Sequence, residues 1–186
     1  MALYRIVNPY LSKKQKKKLK PVLLQHGYQN AASTWLINSR GKLNSDGKYI
    51  EFDEEGNPLD RPTGNTLGFV LASSGYDVWL PNYRGNIYSL NHTKFDPNKG
   101  NDNLKLNIKF ESFVLISDKE FWRFSIDEMI SYDLPAIIKY IQDKTSRSNL
   151  IIELKVLNDN FCIRNHLIYR TLTRNHNNVR FALIKT

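Results

Sequence analysis

A chain of 186 residues fits one ordinary domain, and a hydrophobic share of 41% supplies a core if the apolar positions face the same way. The 27 Lys and Arg against 18 Asp and Glu leave a formal net charge of +9, which favours anionic partners only where the charge is gathered on one face. A single cysteine, Cys162, excludes an intrachain disulfide. No run of about 18 apolar residues is present, and residues 1–9 hold no continuous apolar stretch, so neither a spanning helix nor a signal peptide is expected.

The positive charge falls in two places. The first is Lys13-Lys14-Gln15-Lys16-Lys17-Lys18-Leu19-Lys20, and the second is a tail bearing Lys155, Arg164, Arg170, Arg174, Arg180 and Lys185. The lysine run lacks aromatic interleaving and directly precedes an apolar strand, so it reads either as a solvated loop or as a basic patch for an anionic surface. Residues 21–25 then form a nearly continuous apolar run, which suits a strand buried on both faces of a parallel sheet and ended by His26-Gly27. Ala31 to Asn38 can turn helical. Arg40 to Gly64 is polar and rich in Gly and Pro, and it reads as a long loop with a small hairpin through Lys48–Phe52.

Leu67, Val70 and Leu71 recur at helical spacing, and Gly75 sits where a left-handed cap ends a helix. A strand follows at Tyr76-Asp77-Val78-Trp79-Leu80, closed by Pro81-Asn82. His92, in the sequon Asn91-His92-Thr93, is a tempting base but reads as a solvated loop histidine. Asp96 to Lys119 drifts toward Asn, Lys and Ile and is treated as an insertion, with a possible strand at Phe113–Ile116. Ser125-Ile126-Asp127-Glu128 has the capping-box form. The stripe Ile126, Met129, Ile130 continues as Leu134, Ile137, Ile138, Ile141, with Asp133 able to cap a second segment and Pro135 tolerated in its first turn, so a kinked or restarted helix is expected. Asn149 to Leu154 is the next candidate strand. Beyond it the chain is either a poorly packed extension or a pair of short strands. Cys162, His166 and His176 lack zinc spacing, and no metal site and no cofactor are expected.

Strand and helix alternate, which favours a parallel sheet with helices on its faces. The words themselves are more specific. Three ordered blocks carry them: Lys20-Pro21-Val22-Leu23-Leu24-Gln25-His26-Gly27, preceded by Leu3-Tyr4-Arg5-Ile6; Asn65 to Ala72 with Gly75 to Leu80 and Asn82-Tyr83-Arg84-Gly85-Asn86; and Glu120 to Met129 with Tyr132 to Ala136. In these the chain resembles the acid lipase family, which contains lysosomal acid lipase and gastric lipase. The resemblance implies an α/β-hydrolase fold, hydrolysis of neutral lipid esters through an acyl-serine, and a lysosomal or secreted setting. It also implies that the backbone amide of Tyr28, where the family usually has leucine, serves the oxyanion hole while His26 and Gly27 shape the turn. The Asn82–Asn86 loop is structural by the same likeness. No specific nucleic-acid partner is expected, because a basic module alone would leave the three blocks unexplained.

The departures are as informative as the likeness. An α/β-hydrolase carries its serine on a strained strand-to-helix elbow, G-x-S-x-G. Here the strand through Leu150-Ile151-Ile152 runs into Glu153-Leu154-Lys155-Val156, and no glycine occurs after Gly100. The expectation is therefore an incomplete α/β-hydrolase unit over residues 1–152, with insertions at about 40–64 and 96–119 and a divergent basic tail over 153–186. Its partial, mostly parallel sheet would stop at its middle strand with an exposed apolar edge. Such a unit would lack the catalytic triad and be inactive alone. The alternative is a noncatalytic unit that binds lipid, a partner chain or an anionic surface.

Overall fold

The computed structural model describes residues 1–27, 30–38, 40–59, 66–97, 120–148, 150–154 and 179–182. A five-stranded sheet is built from β1 (Leu3–Ile6), β2 (Lys20–Gln25), β5 (Tyr76–Pro81), β6 (Leu150–Leu154) and β7 (Val179–Ala182), in the order β1-β5-β2-β6-β7. Strands β5, β2, β6 and β7 are mutually parallel, and β1 runs antiparallel along β5. A separate antiparallel pair joins β3 (Arg40–Leu43) to β4 (Tyr49–Phe52). The helical segments are α1 (Lys13–Lys16), a 3-10 turn (Ala32–Trp35), α2 (Leu67–Ser73), α3 (Ile126–Glu128), a π turn (Met129–Asp133) and α4 (Leu134–Thr145). Among the described residues no helix is long and apolar enough to cross a membrane.

The two-residue period of the strands sorts the core into two layers. Leu23 of β2, Trp79 of β5 and Leu150 of β6 face one side, where they meet Met129, Ile130, Leu134, Ile137, Ile138 and Ile141. Val22 and Leu24 of β2 and Val78 and Leu80 of β5 face the other, against Ala32, Trp35 and Ala72. Burial on both faces is why these strands read as unbroken apolar runs instead of alternating ones. The edge strand β1 is fastened to β5 by more than its ladder. Arg5 grips the buried Asp77 through Nε and Nη2 at 2.7 and 2.8 Å, and its guanidinium lies 4.7 Å from the centroid of the Trp79 ring.

Several expectations hold. Helix α2 ends at a glycine with φ +90, Gly75, and β5 follows at once. Ser125 and Glu128 form the reciprocal capping box. The helix they start runs on through a π turn into α4, with Pro135 in the first turn of α4. Proline has no N–H to offer the preceding turn, which is where the ladder departs from the α pattern.

Other expectations are corrected. Asp133 does not cap α4: its backbone is helical and its side chain makes no cap bond, because the carboxylate is engaged by Arg84. Residues 40–43 are a strand and not part of a loop, since β4 supplies the pairing that their own polar sequence does not suggest. The lysine run is not simply a loop either: Ser12 and Gln15 form a capping box that starts the one-turn helix α1. Strand β6 is not left as an edge, because β7, drawn from the tail, pairs with it in parallel. The possible strand at Phe113–Ile116, and Cys162, His166 and His176, lie outside the described residues.

Candidate functional site

In an open parallel sheet the crevice beyond the carboxyl ends of the strands is where ligands bind. The segments leaving β2 and β5 meet there. Gln25 and His26 at the end of β2 are both buried, as are Asn82 and Tyr83 at the end of β5. His26 folds back on its own turn: Nδ1–H donates to the Gly27 carbonyl at 2.8 Å, and the ring stands edge-on to Tyr83 with centroids 5.4 Å apart. That bond places the proton on Nδ1 and leaves Nε2 as the lone-pair nitrogen. Burial holds the imidazole below its usual value of 6.5, partly opposed by the Gly27 carbonyl. Burial, reinforced by the negative charge of Asp133, likewise pushes the Tyr83 phenol well above its ordinary range. His26 is thus a buried ring held between the Gly27 carbonyl and the Tyr83 ring.

The turn is closed by the Asn30 amide donating to the Gly27 carbonyl at 3.2 Å. The loop after β5 grips the segment beyond that turn. Asn82 Oδ1 accepts from the Ala32 amide at 3.0 Å, and Asn86 Nδ2 donates to the Asn30 carbonyl at 2.7 Å. Asn82 is itself fixed, its amide donating to the Ala2 carbonyl at 2.9 Å and its carbonyl accepting from Ser89 Oγ at 3.0 Å. Behind this loop stands an ion pair that reaches 49 residues along the chain. Arg84 donates to Asp133 through its backbone amide at 3.1 Å, Nε at 2.9 Å and Nη2 at 2.5 Å. The carboxylate accordingly raises the Arg84 guanidinium further. At Gly85, φ is +76 and a Cβ would lie 2.5 Å from Phe124, so the loop packs against that ring at a position suited to glycine.

Of the residues singled out in the sequence, His26 and Gly27 lie at this convergence, and Tyr28 falls outside the described residues. His92 does not lie there. It sits in a separate loop, where Nδ1 accepts from the amides of Lys94 and Phe95, both at 3.0 Å, and the ring stacks on Phe95 and meets Phe121 edge-on. With that nitrogen occupied in holding its own loop, His92 is a turn-former. The Asn82–Asn86 loop, structural in the family likeness, is the element that fixes the segment after β2. No local pattern announces this, because its partners are 50 and 56 residues away.

Comparison with known proteins points one way. The chain is 36% identical over 129 residues to lipase member K of Homo sapiens, covering 69% of this chain and 22% of that protein. It is 34% identical over 131 residues to the tear acid lipase-like protein of Mesocricetus auratus, covering 70% and 22%. It is 33% identical over 129 residues to gastric triacylglycerol lipase of Bos taurus, covering 69% and 22%. The matches therefore span under a quarter of the length of these relatives. No protein-family model matches the chain.

Proposed function

The chain belongs to the acid lipase family, and we propose that it presents the oxyanion side of that family's ester-hydrolysing site without the nucleophile. On this reading the backbone amide of Tyr28 is the donor to a developing oxyanion. His26 and Gly27 shape the turn, and Asn82 and Asn86 hold the segment beyond it. A preorganised amide is worth about 3–4 kcal/mol to a tetrahedral transition state where such a donor has been removed. The substrate class is a carboxylic ester of neutral lipid, as the name of the bovine gastric relative indicates for that protein.

One observation carries the second half of the proposal. Strand β6 runs beside β2 in parallel, pairing Val22 with Ile151 and Leu23 with Ile152, and the sequence then continues Glu153-Leu154-Lys155-Val156. A serine nucleophile needs a glycine-flanked elbow at such a strand end to expose its hydroxyl, and this stretch has neither the serine nor the glycines. Without it the acyl-enzyme route is closed. A noncatalytic unit that binds lipid is the alternative role. The test is turnover of a short-chain acyl ester by the purified chain. The proposal predicts no saturable hydrolysis above a heat-denatured control, and saturable turnover would refute it.

A further inference from the structure

The end of the sheet opposite this site carries the densest charge in the described residues. Lys13, Lys14, Lys17, Lys18 and Lys20 are exposed, and among the described residues none of them, nor Lys16, makes a salt bridge. The backbone that carries them is held in place. Ser12 Oγ accepts from the Gln15 amide at 3.3 Å, Gln15 Oε1 accepts from the Ser12 amide at 2.8 Å, and the Lys18 amide donates to the Gln15 carbonyl at 2.8 Å. A contact across 130 residues adds to the array: Arg147 Nη2 donates to the Lys17 carbonyl at 3.1 Å, just beyond the end of α4. Lys144 lies in the last turn of the same helix. Holding like charges together is unfavourable by itself, and the field they create attracts a polyanion.

We propose that Lys13, Lys14, Lys17, Lys18 and Arg147 form a docking surface for a bilayer bearing anionic lipid headgroups. Each lysine near such a surface adds to the attraction independently of sequence or register, so a short, regular cluster suffices. Tyr10, 61% exposed and two residues before the capping serine, adds an aromatic ring of the kind that sits at headgroup level. Residues 12–20 contain no aromatic side chain on which bases could stack, which sets the cluster apart from a single-strand nucleic-acid groove. The surface lies at the amino ends of β2 and β6, so occupying it leaves the carboxyl ends of these strands clear. It does not depend on whether the chain hydrolyses esters.

The test is co-sedimentation of the purified chain with phosphatidylcholine vesicles, either pure or containing about one-third phosphatidylserine. Binding is expected only to the anionic vesicles and is expected to weaken as salt is raised. The double variant Lys17→Gln/Lys18→Gln is expected to bind about thirtyfold more weakly. The charge-matched variant Lys94→Gln/Arg123→Gln, altered at exposed cations elsewhere, is expected to match the parent chain. Far-UV circular dichroism confirms that both variants are folded. Equal binding to neutral vesicles, no binding to either kind, or equal losses in the two variants would overturn the proposal. Tighter binding to an RNA oligomer than to the anionic vesicles would reassign the surface to nucleic acid.

Discussion

Asp133 is where a single side chain ties the most structure together. Its carboxylate is 2% exposed and takes three donors from Arg84, so Asp133→Ala leaves a guanidinium and an amide without their acceptor. Breaking a buried pair from one side costs about 3–5 kcal/mol, and the partial exposure of Arg84 lowers the expectation to about 2–3 kcal/mol, read from the urea midpoint. Arg84→Lys should recover little, since an ammonium cannot reproduce the fork. Asn82→Ala should cost about 1–3 kcal/mol, because the Ala32 amide loses its acceptor in a dry setting. His26 makes a prediction in pH. Its folded-state value lies below 6.5, so the unfolded chain binds more protons between the two values. Stability is therefore full above 6.5 and falls as pH drops toward the folded value, and His26→Gln should flatten that part of the profile. An NMR titration placing the His26 midpoint at or above 6.5 would contradict the assignment.

At the scale of elements, α4 is the main cover of one sheet face. Leu134, Ile137, Ile138 and Ile141 form its buried stripe, and Ile138→Ala should cost about 2–5 kcal/mol in a denaturant titration. Gly85→Ala should cost about 1–3 kcal/mol, because φ is +76 and Phe124 occupies the space for a methyl group. The elements that were legible in the sequence were those marked by local chemistry. Residues 21–25 are apolar throughout, Gly75 is spaced to end α2, and Ser125 with Glu128 spells a capping box. The rest depends on partners far along the chain. Arg40-Gly41-Lys42-Leu43 becomes a strand only because β4 lies beside it, and Val179–Ala182 only because β6 does. Asp133 satisfies the local rule for a cap, yet Arg84 offers it a stronger set of donors. The candidate site divides the same way. His26-Gly27 is visible as a strand-ending turn, whereas the support from Asn82 and Asn86 is invisible until β5 is placed next to β2.

Across the whole molecule, a mixed five-stranded sheet with helices on both faces carries two differently charged ends. The carboxyl ends of β2 and β5 present buried amides and neutral rings, and the amino ends of β2 and β6 lie beside the lysine array. The central proposal, an oxyanion side without a nucleophile, rests on family membership and on the sequence Glu153-Leu154-Lys155-Val156 that follows Ile152. Reaction with a biotinylated fluorophosphonate, followed by intact mass measurement, tests it most directly, because the reagent modifies only a serine activated for nucleophilic attack. The account predicts an unchanged mass after prolonged exposure. A stoichiometric adduct mapped to one serine would show a working nucleophile and contradict it.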